Sequence, residues 1–193
     1  MRIRSGLTVL VVVTAGLVAG TGTAARTAAT AKAATGSPYC GITWGSGTKA
    51  AGSLSSAALV EVRTGRHDCF DRVVFEFAGP VSGYTVTYGE TWTEGEGLPL
   101  SPYTAGDELL RVSLQAPAYD DGHAATVPYR VGEHTANVLR HRTLRDVVFG
   151  GSFEGYTTFA VGVRARLPFR VLVLAGPGSH SRIALDVAHQ WQE

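Results

Sequence analysis

The sequence is poor in charge, which excludes several classes of protein. Only 17% of its 193 residues are charged, against about 25% in a typical soluble domain. Coiled coils and charged helical bundles therefore do not fit. The formal net charge of +1 argues against a nucleic-acid-binding protein, which needs a basic surface. Glycine is abundant instead, with 24 residues, and favours a β protein rich in turns.

Apolar runs long enough to cross a membrane are also lacking, but a shorter run lies near the amino terminus. It spans residues 7–19 and follows the basic residues Arg2 and Arg4, whereas a membrane span needs about 20 apolar residues. Small residues follow near positions 24 and 33, as at the cleavage site of a secretory signal peptide. We therefore predict a signal peptide over residues 1–33, cleaved near residue 24 or 33, and a secreted protein without a membrane span.

Cleavage would change the charge balance. Residues 1–33 hold 4 of the 17 basic residues and no acidic residue, so 13 basic and 16 acidic side chains would remain, a net charge of −3. A mildly acidic domain attracts anionic polymers only through a local basic patch.

Cysteine is scarce, with Cys40 and Cys69 the only two in the chain. An even count in an exported protein favours one disulfide over a reactive thiol at Cys69 beside His67. Closing a loop of this length is worth about 3.6 kcal/mol by the chain-entropy estimate. The disulfide would tether an amino-terminal segment, residues 34–56, to the first strands.

The sequence from residue 57 onward is a succession of short β-strand patterns. In one of them Val73, Phe75 and Phe77 share a face, and Arg72 and Glu76 lie on the other. Helical periodicity is weak and allows a turn or two of helix only within residues 133–146. We predict an all-β domain over residues 57–193, a two-sheet antiparallel β-sandwich of about eight strands with little helix and one disulfide. The strands centre on residues 60–62, 73–77, 84–88, 110–114, 147–149, 159–165, 171–174 and 183–187.

Three stretches together resemble a known family. They are Val60-x-Val62-Arg63-x-Gly65-x-His67 leading into Asp71-Arg72-Val73-Val74-Phe75-Glu76-Phe77-x-Gly79, then Gly151-Ser152-Phe153-Glu154-Gly155 leading into Arg164-Ala165-Arg166-Leu167-Pro168-Phe169-Arg170-Val171, and finally Arg182-Ile183-Ala184-Leu185-Asp186-Val187. The set resembles the AMIN-like domain of secreted and lipid-anchored actinobacterial proteins. That family is similar to the AMIN domains of peptidoglycan amidases and pilus secretins. The resemblance implies a two-sheet β-sandwich and a role in envelope targeting or cell-wall binding, without catalysis.

Motifs for catalysis or metal binding do not stand out. The Gly-x-Ser-x-Gly pattern is broken at Glu154, and neither a His-Glu-x-x-His motif nor a zinc-spaced cysteine pair occurs. Asp120-Asp121-Gly122-His123 is interpreted as an acidic turn. We therefore expect that the protein is not an enzyme and that it binds no metal ion and no cofactor. A glycan hydrolase centred on Glu94, Glu96 or His123 remains an alternative, because paired carboxylates can hydrolyse sugar bonds.

Arginine supplies the candidate binding residues. Arg164 and Arg166 alternate with apolar residues on a predicted strand, about 7 Å apart and pointing outward, and Arg170 would continue the patch. Neighbouring guanidinium groups bind phosphate or carboxylate, which suits teichoic acids and peptidoglycan stems. Trp92 is the candidate for stacking on sugars. The simpler interpretation is that arginine is the general surface cation, since the chain has 15 Arg and 2 Lys.

These observations predict an exported, monomeric, non-enzymatic module that binds a cell-wall glycan, either peptidoglycan or a wall-attached anionic glycopolymer. The second hypothesis is a protein-interaction domain that recruits a secreted or envelope partner, for which an exposed apolar surface is expected.

Overall fold

The structure, a computed structural model, describes residues 37–191. The predicted signal peptide lies outside these residues. In the described part of the chain, no helix has the length and apolar character that a bilayer crossing requires.

The regular secondary structure of the described residues is almost entirely β, with nine strands and two short 3₁₀-helices at Tyr39–Gly41 and Ser101–Tyr103. The strands are β1 (Lys49–Ala51), β2 (Leu59–Arg66), β3 (Phe70–Phe77), β4 (Tyr84–Tyr88), β5 (Glu108–Leu114), β6 (Leu144–Phe153), β7 (Tyr156–Val163), β8 (Phe169–Ala175) and β9 (Ser181–Ala188).

The strands form two antiparallel sheets. Sheet A has the order β1-β4-β5-β7-β6, and sheet B has the order β2-β3-β9-β8. This confirms the predicted two-sheet antiparallel sandwich, and each of the eight predicted strands is present. The ninth strand, β1, lies in the segment that we predicted only as a disulfide tether. It was missed because its three residues, Lys49, Ala50 and Ala51, show no alternation of apolar and polar side chains.

The predicted turn of helix within residues 133–146 is wrong. Instead, residues 132–135 run along the edge of β6, where the Gly132 amide donates to the Phe149 carbonyl and the Thr135 amide donates to the Val147 carbonyl. These bonds satisfy the backbone of a segment whose apolar spacing is too poor to bury a helix face.

The core lies between the sheets and follows the alternation seen in the sequence. Phe75 of β3 is fully buried and contacts Phe159 of β7, with ring centroids 4.9 Å apart. A fully buried side chain of this kind contributes about 2–3 kcal/mol. Because the apolar residues of β3 face this core, Arg72 and Glu76 face outward from sheet B.

One buried carboxylate joins three segments at an end of the sandwich. Asp71, which is fully buried, accepts hydrogen bonds at Oδ2 from the backbone amides of Thr143 (2.5 Å) and Leu144 (3.2 Å). Its Oδ1 lies 3.1 Å from Nε2 of His189, just after β9. The carboxylate therefore links β3, the start of β6 and the end of β9.

The predicted disulfide between Cys40 and Cys69 is confirmed. It holds the amino-terminal segment beside sheet B, where the Phe169 amide donates to the Gly45 carbonyl at 2.9 Å. Trp44 packs edge-on against Phe70, with centroids 5.6 Å apart. The tether thus places an aromatic side chain from outside the sandwich at the surface of sheet B.

Replacing Asp71 tests how much the sandwich depends on its buried carboxylate. Asp71→Asn replaces the buried carboxylate that accepts hydrogen bonds from two backbone amides, and we expect a loss of about 2 kcal/mol in the free energy of unfolding, as for hydrogen bonds to a charged group. Urea denaturation measures this loss. The matched control Asp121→Asn, at an exposed position, should change stability by less than about 0.5 kcal/mol. Equal effects of the two variants on the free energy of unfolding would show that the hydrogen bonds of Asp71 do not stabilise the fold.

Candidate functional site

The outer face of sheet B carries a row of charged side chains across three neighbouring strands. The register pairs Arg72 of β3 with Asp186 of β9, and Asp186 with Arg170 of β8. Trp44 and Phe70 lie against this row. We refer to these five residues as the arginine–aromatic ladder.

Asp186 positions both arginines of the ladder. Its side chain is 0% exposed, and it accepts hydrogen bonds from Arg72 Nε (2.5 Å), Arg72 Nη2 (2.8 Å) and Arg170 Nε (2.8 Å). A buried carboxylate is tolerated when it is paired in this way. The hydrogen bond from Arg72 to Asp186 also raises the pKa of Arg72 above its ordinary value. Two positive charges therefore share one negative charge, and one positive charge remains uncompensated within the ladder.

The aromatic rings lie beside these guanidinium groups. Arg170 Cζ is 4.4 Å from the centroid of the Trp44 ring and 5.5 Å from that of Phe70. Arg72 Cζ is 5.3 Å from the Phe70 centroid. These distances are within the range of cation–π contacts. Chemically, the ladder offers apolar ring surface and guanidinium donors side by side.

Comparison with known protein families identifies the family of this chain. The AMIN-like domain family matches residues 57–189, more than half of the chain. The chain belongs to the AMIN-like domain family. The resemblance noted in the sequence is thereby confirmed, and AMIN-like domains are in general non-catalytic modules of envelope-associated proteins. No curated protein matches the chain.

The ladder extends beyond the matched region of the AMIN-like domain. Four of its residues lie within residues 57–189, but Trp44 precedes the match. The disulfide brings Trp44 to the sandwich, because Cys40 is bonded to Cys69, the residue just before Phe70.

The structure separates the arginines that we predicted as one patch. Arg170 lies in the ladder, but β7 ends at Val163, so Arg164 and Arg166 occupy the connection to β8. The expectation that both point outward from one strand is therefore wrong. The Arg164 amide still donates to the carbonyl of Thr143, the residue just before β6. The Arg164 guanidinium donates to the His189 carbonyl.

Arg166 has its own aromatic neighbours. Its Cζ lies 4.8 Å from the centroid of the Tyr88 ring, and its carbonyl accepts a hydrogen bond from the Trp191 indole at 2.5 Å. Trp191 is 45% exposed. Burial raises the pKa of Tyr88 to about 12, so this phenol stays neutral beneath the cation.

Trp92 lies on the opposite sheet. It belongs to the β4–β5 connection and is 44% exposed, as its candidacy for stacking requires. Arg111 Cζ of β5 lies 5.5 Å from its ring centroid. Since Leu110 and Val112 face the core, Arg111 points outward from sheet A. Trp92 and the ladder therefore occupy different faces of the sandwich.

The residues considered for hydrolysis are engaged in separate local contacts. Glu94 accepts a hydrogen bond from Thr158 Oγ1 at 2.5 Å, and the His123 ring stacks on Tyr119 at 5.7 Å. The Asp120 side chain accepts hydrogen bonds from the amides of Gly122 and Ala124, the arrangement of the predicted acidic turn. Among residues 37–191, no group of three or more potential ligand side chains forms a metal site.

A second charged cluster lies on the outer face of sheet B, away from the ladder. Glu76 accepts hydrogen bonds from His180 Nδ1 at 2.8 Å and from Arg63 Nη1 at 2.6 Å. The hydrogen bond from His180, followed by that from Arg63, holds the pKa of Glu76 below its ordinary value of 4.5. Arg63 also donates to Glu61 at 2.7 Å, so two carboxylates face one guanidinium group here, the reverse of the ladder.

The lowered pKa of Glu76 predicts how stability depends on pH. The unfolded chain binds a proton at Glu76 more readily than the folded protein does, so protonation favours unfolding. The stabilisation is fully present above the ordinary pKa and is lost as the pH falls through the folded pKa. Urea denaturation between about pH 6 and 3 should therefore show a flatter pH dependence for Glu76→Gln than for the wild type. The exposed control Glu96→Gln should keep the wild-type slope, and a flattening shared by both variants would contradict the assignment.

Proposed function

We propose that this AMIN-like domain binds an anionic glycan of the cell envelope, either peptidoglycan or a wall-attached glycopolymer, and catalyses no reaction on it. The observation that carries the proposal is the arginine–aromatic ladder. Its guanidinium groups are held in place by one buried carboxylate and lie beside two aromatic rings. The proposal includes the predicted export of the protein and its association with the cell wall.

Hydrogen-bonding capacity supports an anionic ligand. Arg170 uses only Nε to bind Asp186, and its two terminal nitrogens make no hydrogen bond to any residue that the structure describes. A guanidinium group of this kind can bind phosphate or carboxylate with two parallel hydrogen bonds. Teichoic acids supply phosphate and peptidoglycan stem peptides supply carboxylate.

The fixed positions of the ladder arginines favour binding of an anionic glycan, although the domain has a low net charge. Long side chains lose rotamer freedom when they bind a ligand, at a cost of about 0.5–1.5 kcal/mol each. In the ladder, Asp186 and the aromatic contacts already restrict both arginines. The Trp44 ring would pack on the apolar face of a sugar ring while the arginines bind the anionic groups.

The other predicted residues enter the proposal as additional contacts. Arg166 lies beside the exposed Trp191, and Arg164 lies at the same end of the sandwich, since it contacts His189, whose amide bonds to Cys69. Trp92 with Arg111 forms a separate contact on sheet A that a long polymer would reach by passing around the domain.

Binding to purified sacculi tests the proposal. The double variant Trp44→Leu/Arg170→Gln should bind about tenfold more weakly than the wild type, since the loss of about 1.4 kcal/mol matches one charge-assisted contact with its stacking. The matched control Arg142→Gln removes a positive charge at an exposed position outside the ladder and should leave affinity nearly unchanged.

Sacculi with and without teichoic acid identify the ligand. If walls with teichoic acid retain more of the domain than walls without it, and salt weakens this retention, the ligand is the glycopolymer. If both preparations retain equal amounts, the ligand is peptidoglycan. Absence of retention on both preparations, or equal losses in the double variant and the control, would contradict the proposal.

Release of soluble fragments tests the non-catalytic part of the proposal. We expect the domain to release no sugars or peptides from the same sacculi. Release that is lost in Glu94→Gln would instead establish the hydrolase alternative.

A further inference from the structure

Strand β8 forms one edge of sheet B, and among the strands of residues 37–191 it pairs only with β9. Hydrogen bonds of the residues just before and just after β8 show which way its backbone groups point. The Ala188 amide donates to the Pro168 carbonyl, and the Gly176 amide donates to the His180 carbonyl. In an antiparallel pair, hydrogen-bonded and non-hydrogen-bonded residue pairs alternate. The even-numbered residues of β8 therefore bond to β9, and the odd-numbered residues direct their N–H and C=O groups to the open side.

Much of that open side lacks partners. The Phe169 amide is bound by the Gly45 carbonyl, which confirms the direction and marks where the amino-terminal segment covers the edge. The Ala175 carbonyl accepts a hydrogen bond from Arg182. Between these points, the N–H and C=O groups of Val171 and Val173 make no hydrogen bond within residues 37–191. Their two-residue spacing is that of an extended strand.

This edge lacks the features that protect the other edges. Residues 132–135 cover β6, β1 is three residues long and carries Lys49, and β2 carries Glu61 and Arg63 and has a register shift near its start. Edge strands are commonly blocked by charge, proline or bulges. Residues 171–175 of β8 have none of these, and Val173 is 45% exposed.

The edge lies beside a groove of about 520 Å³. The segment 53–56 also lines the groove and is held by bonds from the Ser55 amide to the Gln115 carbonyl and from Ser55 Oγ to the Pro80 carbonyl. No lining residue carries a charge. The lining residues are Ser53, Leu54, Ser55, Ser56, Pro80, Val81, Ser82, Val173, Leu174, Ala175 and Ser181.

We infer that the β8 edge and its groove bind an extended, uncharged peptide segment of a partner protein, which joins sheet B as a fifth strand. The alternating unpaired amides and carbonyls match a polypeptide backbone, and neither a glycan nor a lipid chain presents that pattern. The free edge of about 13 Å fits five residues at strand spacing. The uncharged lining favours small or β-branched side chains on the residues that face the groove. The domain would then connect a partner protein to the envelope through a surface separate from the ladder.

Panning a phage library of linear random heptapeptides against the domain tests this inference. We expect enriched peptides with alternating uncharged, β-branched residues, and binding about tenfold weaker to Val173→Lys, which places a charge on the edge. The matched control Val131→Lys changes another exposed valine, outside the groove, and should bind as the wild type does. A synthetic copy of the enriched peptide with alternate amides N-methylated should lose binding, because it cannot complete the strand pairing. This comparison uses the wild-type domain, so a folding defect in Val173→Lys cannot affect it.

Other results would overturn the inference. They are an absence of enrichment, enrichment that Val173→Lys leaves unchanged, or full binding by the N-methylated peptide. Hydrogen exchange at Val171 and Val173 that slows as the domain alone is concentrated would assign the edge to a second copy of the chain. None of these results bears on retention by sacculi, so the two proposals fail independently.

Discussion

The outer face of sheet B depends on the carboxylate of Asp186. A buried carboxylate without partners costs several kcal/mol, so Arg72 and Arg170 are held over it from the strands on either side. Once they are fixed there, Trp44 and Phe70 have cations to pack against. The disulfide completes the arrangement by holding the segment that carries Trp44. One acidic residue thus organises a surface whose residual charge is positive.

Much of the fold could be predicted from the sequence, because alternation in strands such as β3 reports directly which side chains face the core. Short or irregular segments could not be predicted in the same way. The strand β1 has only three residues, and residues 132–135 are positioned by bonds to β6 rather than by their own pattern.

The candidate site was predicted only in part, since Arg170 belongs to the ladder but its partners come from distant parts of the chain. Arg72 and Asp186 are 114 residues apart in sequence, and their proximity requires the register between β3 and β9. Arg164 and Arg166 were wrongly placed on a strand because the alternation of side chains continues past the residue where β7 ends. A local pattern therefore identifies outward-facing arginines but does not show which of them keep hydrogen bonds available for a ligand.

The proposed binding requires direct contact between the ladder and an anionic glycan. The most direct measurement is an NMR titration of the domain with soluble muropeptides and teichoic-acid fragments, following the Nε–H signals of Arg72 and Arg170 and the indole signal of Trp44. We predict saturable shifts in these signals at lower ligand concentration than for Trp92. Shifts confined to Trp92 or to the groove beside β8, or an absence of shifts at saturating ligand, would contradict the account.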